Sequence, residues 1–229
     1  MTATRQLIQG GAVISADPEI GNLADGDVLI EGSRIVAVGE NLEVGDAEVI
    51  DARGTIVMPG FVDTHRHTWQ APWRTLASDW TLAHYMTGLH LRVNPRTSPE
   101  HLRAANTLGA LEALDSGITT LLDWSHNLNT PEHADAAVDA LRSTGMRAVF
   151  AHGGGAREWA VPSDAAHTDD ARRVRSEHFS SDDGLVTMIT EVRASGELAW
   201  SSVSTFLRRG NGDPGAEVPA LREGVRSEV

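Results

Sequence analysis

His65 and His67 stand two residues apart at the end of an apolar run, Phe61-Val62-Asp63-Thr64-His65-Arg66-His67. Alternate side chains of a β-strand share a face, so the two imidazoles project to one side about 7 Å apart along the strand and can share one cation. Asp63 falls on that face too, available to orient an imidazole from behind. Imidazole ligands suit zinc, and also iron or nickel. The chemistry such a pair supports is hydrolysis by metal-activated water. Competing chemistries lack their residues. There is no Cys, which removes disulfides, thiolate ligands and a thiol nucleophile together. Gly-x-Ser-x-Gly does not occur, so serine has no nucleophile elbow.

A bare His-x-His pair is a weak motif in a chain with 10 His, and its setting carries the weight. Around it lie further candidates. Trp69, Gln70, Trp73 and Arg74 follow the pair directly, where the active-site loops of parallel barrels arise, so Gln70, Trp73 and Arg74 are substrate-side candidates. Packing beneath the loop is the plainer expectation for the tryptophans. His126 and His152 follow the next two apolar runs. Each is a candidate for touching substrate or metal, set against a loop or core histidine with satisfied hydrogen bonds. His84, His90, His101, His133, His167 and His178 sit in polar or helical contexts and are expected at the surface. Gly153-Gly154-Gly155 is expected to be a flexible turn, since no Gly-Lys-Ser/Thr follows it.

The elements that must position these residues come in two textures. Residues 7–14, 27–31, 34–38, 47–51 and 55–58 are short β-rich runs in tight turns, with Gly32-Ser33 as a hairpin turn. After Pro59-Gly60, apolar strands alternate with helical stretches. Residues 61–67, 118–124 and 146–152 read as strands. Ser98-Pro99-Glu100 and Thr130-Pro131-Glu132 open capped helices that Gly117 and Gly145 close, and a further helix is expected over 169–178. Strands alternating with crossover helices imply a parallel sheet, either a barrel or an open doubly wound sheet. From about residue 189 to the end no strand followed by a capped helix is recognisable, and residues 208–229 are rich in Gly, Arg, Glu and Pro.

Residues 59–67 resemble the first-strand signature of the amidohydrolase superfamily. Residues 7–57 resemble the N-terminal half of its accessory β-sandwich. Gln70, Arg74, Leu76, the helix at 108–117 and the strand at 118–123 are similar to the cytosine deaminase and chlorohydrolase-like aminohydrolase branch. The similarity covers residues 1–188. It implies an α/β fold, a partial (β/α)8 TIM-type barrel preceded by a small β-sandwich module, divided as residues 1–58, 59–188 and an irregular tail at 189–229. It implies one zinc, or alternatively iron, held by two strand-one histidines, a later histidine and a late aspartate, with a glutamate and a further histidine moving protons. Only His65 and His67 fall on matching positions; the catalytic residues of the later strands are not found. A closed barrel takes about 250 residues, and catalytic zinc takes three protein ligands plus an open position. The expectation is therefore a truncated chain, weakly active or inactive alone, whose tail resembles a shifted reading frame. Every basic residue is Arg, and without Lys the carboxylated-lysine bridge of binuclear relatives is missing, which favours a mononuclear site.

Charge narrows the partners. Asp plus Glu number 32 against 19 basic residues, a net charge of -13 that repels phosphate backbones and anionic membranes. A small heterocyclic substrate is the expected partner, with self-association into a homo-oligomer next. Residues 1–9 lack a signal-peptide pattern and no stretch approaches the roughly 18 apolar residues of a membrane span, so a cytoplasmic address is expected. Two other readings compete. One is a non-catalytic interaction subunit that pairs its uncovered sheet edges with a complementary chain. The other is a doubly wound nucleotide binder, disfavoured by the missing Gly-x-Gly-x-x-Gly.

Overall fold

The computed structural model describes residues 4–153, 166–181, 183–194 and 197–201. The chain divides into two compact units that meet in sequence at Pro59 and Gly60.

The first unit is built on β1 (Arg5–Ile14) and β2 (Asn22–Glu31), an antiparallel pair with β3 (Arg34–Gly39) on its outer side. Gly32 takes φ 60 in the β2–β3 turn, a conformation glycine reaches without a Cβ clash, and the expected hairpin forms with Glu31 opposite Arg34. On the other side of β1 run β4 (Glu48–Asp51) and β5 (Ile56–Val57), both parallel to it. The β1–β2 register shifts around Gly10 and Gly11. Asp27 is buried there, its carboxylate accepting the amide of Gly10, which the bulge takes out of the ladder, at 2.9 Å and that of Leu42, in the loop after β3, at 2.8 Å.

The second unit carries β6 (Phe61–Arg66), β7 (Ile118–Ser125), β8 (Arg147–His152) and β9 (Val186–Ala194), paired in parallel and in sequence order, with β10 (Glu197–Ser201) antiparallel on β9. A doubly wound sheet turns on a reversal of strand order, and the described strands contain none. After a short turn, α1 (Leu82–Tyr85), the crossovers are α2 (Pro99–Asp115), α3 (Pro131–Ser143) and α4 (Ala166–His178). Ser98 caps α2 through a reciprocal box in which the His101 side chain answers the Ser98 amide, a role usually filled by Glu or Gln. Gly117 and Gly145, at φ 81 and 71, close α2 and α3 in the left-handed region. The helices bury Leu102, Ala110, Ala113, Ala137, Leu141 and Val174 against Leu121, Phe150 and Met188 of the sheet.

Pairing along β9 continues past Met188 to Ala194 and β10 follows, so regular structure extends beyond the point where the sequence pattern fades. The fade reflects polar residues, Thr190, Glu191 and Arg193, on a strand whose pairing supplies the order. The remainder of the tail, 202–229, lies outside the described residues, as do Gly154 and Gly155. No helix among the described residues is long and apolar enough to cross a membrane.

Candidate metal centre

The parallel strands β6, β7 and β8 end together, with Arg66 beside Asp123 and Ser125 beside His152. At this end the chain leaves the sheet at His67 and enters a 3-10 turn over Thr68–Trp73. The rings of His65 and His67 lie 5.1 Å apart, centroid to centroid, and nearly perpendicular at 79°. His65 is exposed and His67 half-buried. Nδ1 of His67 is 2.9 Å from the carbonyl oxygen of Trp124. A carbonyl only accepts, so Nδ1 carries the proton and Nε2 presents its lone pair, the arrangement by which proteins orient histidine ligands. Burial holds the His67 pKa below its ordinary value; the Trp124 carbonyl opposes this and His65 reinforces it. The ring is thus neutral at pH 7, the form that binds metal.

His126 packs on His67 at 3.9 Å, and His90 packs on His126 at 4.6 Å. The Trp69 indole N–H donates to Nδ1 of His126 at 3.0 Å. Burial first, and then the neighbouring imidazoles, push His126 down to about 2 and His90 down to about 4. The cluster therefore adds no positive charge to the site at neutral pH. Tyr85 closes its outer side, 4.8 Å from His90, and receives a hydrogen bond from Gln70 at 2.6 Å.

Of the residues the sequence singled out, His126 is gathered against the pair, and Gln70 reaches the rim of the cluster through Tyr85. Arg74 points elsewhere, into an ion pair with Glu112 of α2. Trp73 lines a cleft of about 880 Å³ whose other walls include Trp69, Val93, Ala105 and Leu108, on the α2 side of the Trp69 indole. His152 shares a face of β8 with Phe150 and bonds Asp170 of α4 at 2.9 Å, so it is turned into the layer between sheet and helix. Asp63 accepts the His65 amide at 3.1 Å and pairs with Arg66 at 3.5 Å; its bonds go to backbone and guanidinium instead of imidazole.

His90 and His133 correct the surface expectation, at 1% and 5% exposure. His133 is fixed by Thr130 and by the Thr97 carbonyl, a structural tie beneath α3. His90 sits in a widened helical turn, Met86–Val93, whose period matches neither an α-helix nor a strand, and periodicity therefore misses it. The His167 side chain lies outside the described part. Asp123 is a residue that the sequence reading passed over, although an acid inside an apolar run is a signal that could have found it. It is fully enclosed, with its Oδ1 3.0 Å from the Thr68 amide.

The donor set fits zinc as a partial site: two imidazoles side by side at the strand ends, one of them with its remote nitrogen anchored. Among the described residues no third carboxylate or imidazole brings a ligand atom into convergence with theirs, His126 meeting His67 ring against ring. The group of three potential ligands that does converge is Asp135, Glu177 and His178, with donor atoms within 4.8 Å of one another. Its centre is already neutralised, because the Arg173 guanidinium bonds Asp135 at 2.8 Å and Glu177 at 2.7 Å.

The chain is 31% identical over 147 residues to a 5'-deoxyadenosine deaminase of Methanosarcina acetivorans, covering 64% of this chain and 33% of that protein. It is 35% identical over 147 residues to a 5-methylthioadenosine/S-adenosylhomocysteine deaminase of Thermococcus kodakarensis, with the same coverage. Among solved structures, a variant of the atrazine chlorohydrolase of Arthrobacter aurescens TC1, complexed with zinc and atraton, superposes with a TM-score of 0.67 at 25% identity, over 80% of this chain and 45% of that one. The chain thus spans about a third of the length of the curated relatives it matches. Residues 56–197 match the model of the Amidohydrolase family, and the chain belongs to that family of hydrolases.

Proposed function

We propose that this chain forms the opening part of a (β/α)8 barrel and supplies His65 and His67 as two ligands of a zinc ion in a hydrolase that deaminates an amino-substituted nitrogen heterocycle. The observation that carries the reading is the locked tautomer of His67, whose Nδ1–H is committed to the Trp124 carbonyl while Nε2 is left for an ion beside His65. When bound, zinc supplies Lewis acidity that makes water nucleophilic at neutral pH. His65 and His67 hold the ion. The Trp124 ring, 5.7 Å from His65, offers a flat wall to a heteroaromatic ring. His126 and His90, kept uncharged, line the floor without repelling a cation. In the overall reaction water replaces the amino group on the ring carbon and ammonia leaves.

The deaminases similar to this chain, and the zinc-containing chlorohydrolase, support zinc and a small heterocycle over a non-catalytic interaction subunit. The test is metal analysis of the full chain after zinc loading and gel filtration, paired with ammonia release from 5'-deoxyadenosine and from an aminated triazine. One zinc per chain, lost in H65A and H67A, is expected, with any ammonia release following the zinc. Zinc retained by both variants would overturn the assignment.

A further inference from the structure

Asp123 is a carboxylic acid with 0% exposure, placed on the face of β7 that it shares with Leu121 and Ser125, the face covered by helices. Burying a carboxyl costs free energy unless hydrogen bonds compensate, and core packing does not call for one there. Its Oδ1 accepts the amide of Thr68, 3.0 Å away. The neighbouring residue, Trp124, gives its carbonyl to Nδ1 of His67 at 2.9 Å. Two consecutive residues of β7 therefore hold both sides of His67: one grips the peptide bond that follows it, the other grips the ring. The Trp124 carbonyl is occupied by the imidazole, and the Asp123 side chain supplies the acceptor that the backbone of β7 does not. Thr68 is also confined from the far side. A Cβ on Gly109 of α2 would stand 2.6 Å from the Thr68 carbonyl oxygen, so the helix backbone closes on the same peptide.

We infer that Asp123 is the positioning residue of the metal pair: through the Thr68 amide it fixes where the chain leaves β6, and so where His67 presents Nε2 beside His65. The inference rests on the proposed zinc site and adds a residue that touches neither metal nor substrate. It explains why an acid persists inside an apolar strand, and why the chain turns out of the sheet at His67 and not a residue earlier or later.

The test compares zinc affinity, by competition with a chromophoric chelator, with the melting temperature of the metal-free chain. D123A removes the acceptor and is expected to weaken zinc by roughly 10- to 100-fold, the range for partners that orient a ligand. D123N keeps an oxygen that can accept the Thr68 amide and is expected to stay within about threefold of the unaltered chain. Leu121 is buried on the same strand, so L121A reports destabilisation alone: its melting temperature falls and its zinc affinity, measured well below melting, holds. D123E, which keeps the charge and shifts the oxygens by one methylene, replaces D123A in the comparison if that variant does not stay folded. Unchanged affinity in D123A, an equal loss in D123N, or an equal loss in L121A would each overturn the inference while leaving zinc at His65 and His67 intact. Zinc binding in the unaltered chain that does not depend on His65 and His67 would overturn both.

Discussion

Two places in the second unit gather side chains that metals like, and they differ in what surrounds those side chains. Between α3 and α4, Asp135, Glu177 and His178 converge closely enough to share an ion. They are half-buried to exposed, and Arg173 is already among them, bonding Asp135, Glu177 and Asp170. At the ends of β6 and β7, His65 and His67 face one another, and the surroundings keep His67 uncharged and fix its ring. Proximity of donors describes the first cluster better; readiness for a cation describes the second. An ion entering the α3–α4 cluster must displace a guanidinium held by several carboxylates, whereas among the described residues no guanidinium is bonded to the imidazoles of the strand-end pair.

The largest effect that separates the two is on zinc affinity. H67A should lose at least about 100-fold, at or beyond the upper end of what loss of an orienting partner costs, while E177Q and H178A should leave affinity within about twofold in chelator competition. Equal losses at both places would erase the distinction. Next is G109A. Its methyl would meet the Thr68 carbonyl, and overpacking of this kind costs about 1–3 kcal/mol, read as a lower urea midpoint; a neutral result would mean that α2 does not press on the turn after His67. R173Q is a smaller change in stability, about 1 kcal/mol or less for a partly exposed network, but it should give the α3–α4 cluster weak zinc binding that the unaltered chain lacks. No gain would show that the arginine is not what excludes the ion.

The smallest effect is on pH dependence. Burial pushes His90 down to about 4, against about 6.5 in an unfolded chain. Between those values the unfolded state binds a proton that the folded state does not, so stability is full above about pH 6.5 and falls as pH drops toward 4. H90Q should flatten that part of the curve of urea midpoint against pH. An unchanged slope would contradict the buried, uncharged assignment of His90.

The histidine pair, the capped helices and the β-module hairpin were legible because each is a local signal: a period of two, an Ser-Pro or Thr-Pro start, a Gly-Ser turn. What surrounds the pair was not. His90 lies in a widened turn that neither helical nor strand periodicity detects, and Arg74 and His152 had the right position in the chain but the wrong direction for their side chains. Direction is decided by partners distant in sequence, Glu112 and Asp170, which a local pattern does not contain. The order of β9 beyond Met188 comes likewise from its pairing, in parallel with β8 and antiparallel with β10.

The central claim is tested most directly by following the imidazole nitrogens of the full chain in long-range proton–nitrogen NMR spectra during a zinc titration. His67 should begin as the Nδ1–H tautomer, and its Nε2 signal should shift together with His65, complete at one equivalent, before His178 responds. A His67 ring that begins protonated on Nε2, or a His178 signal that moves first, would contradict the account.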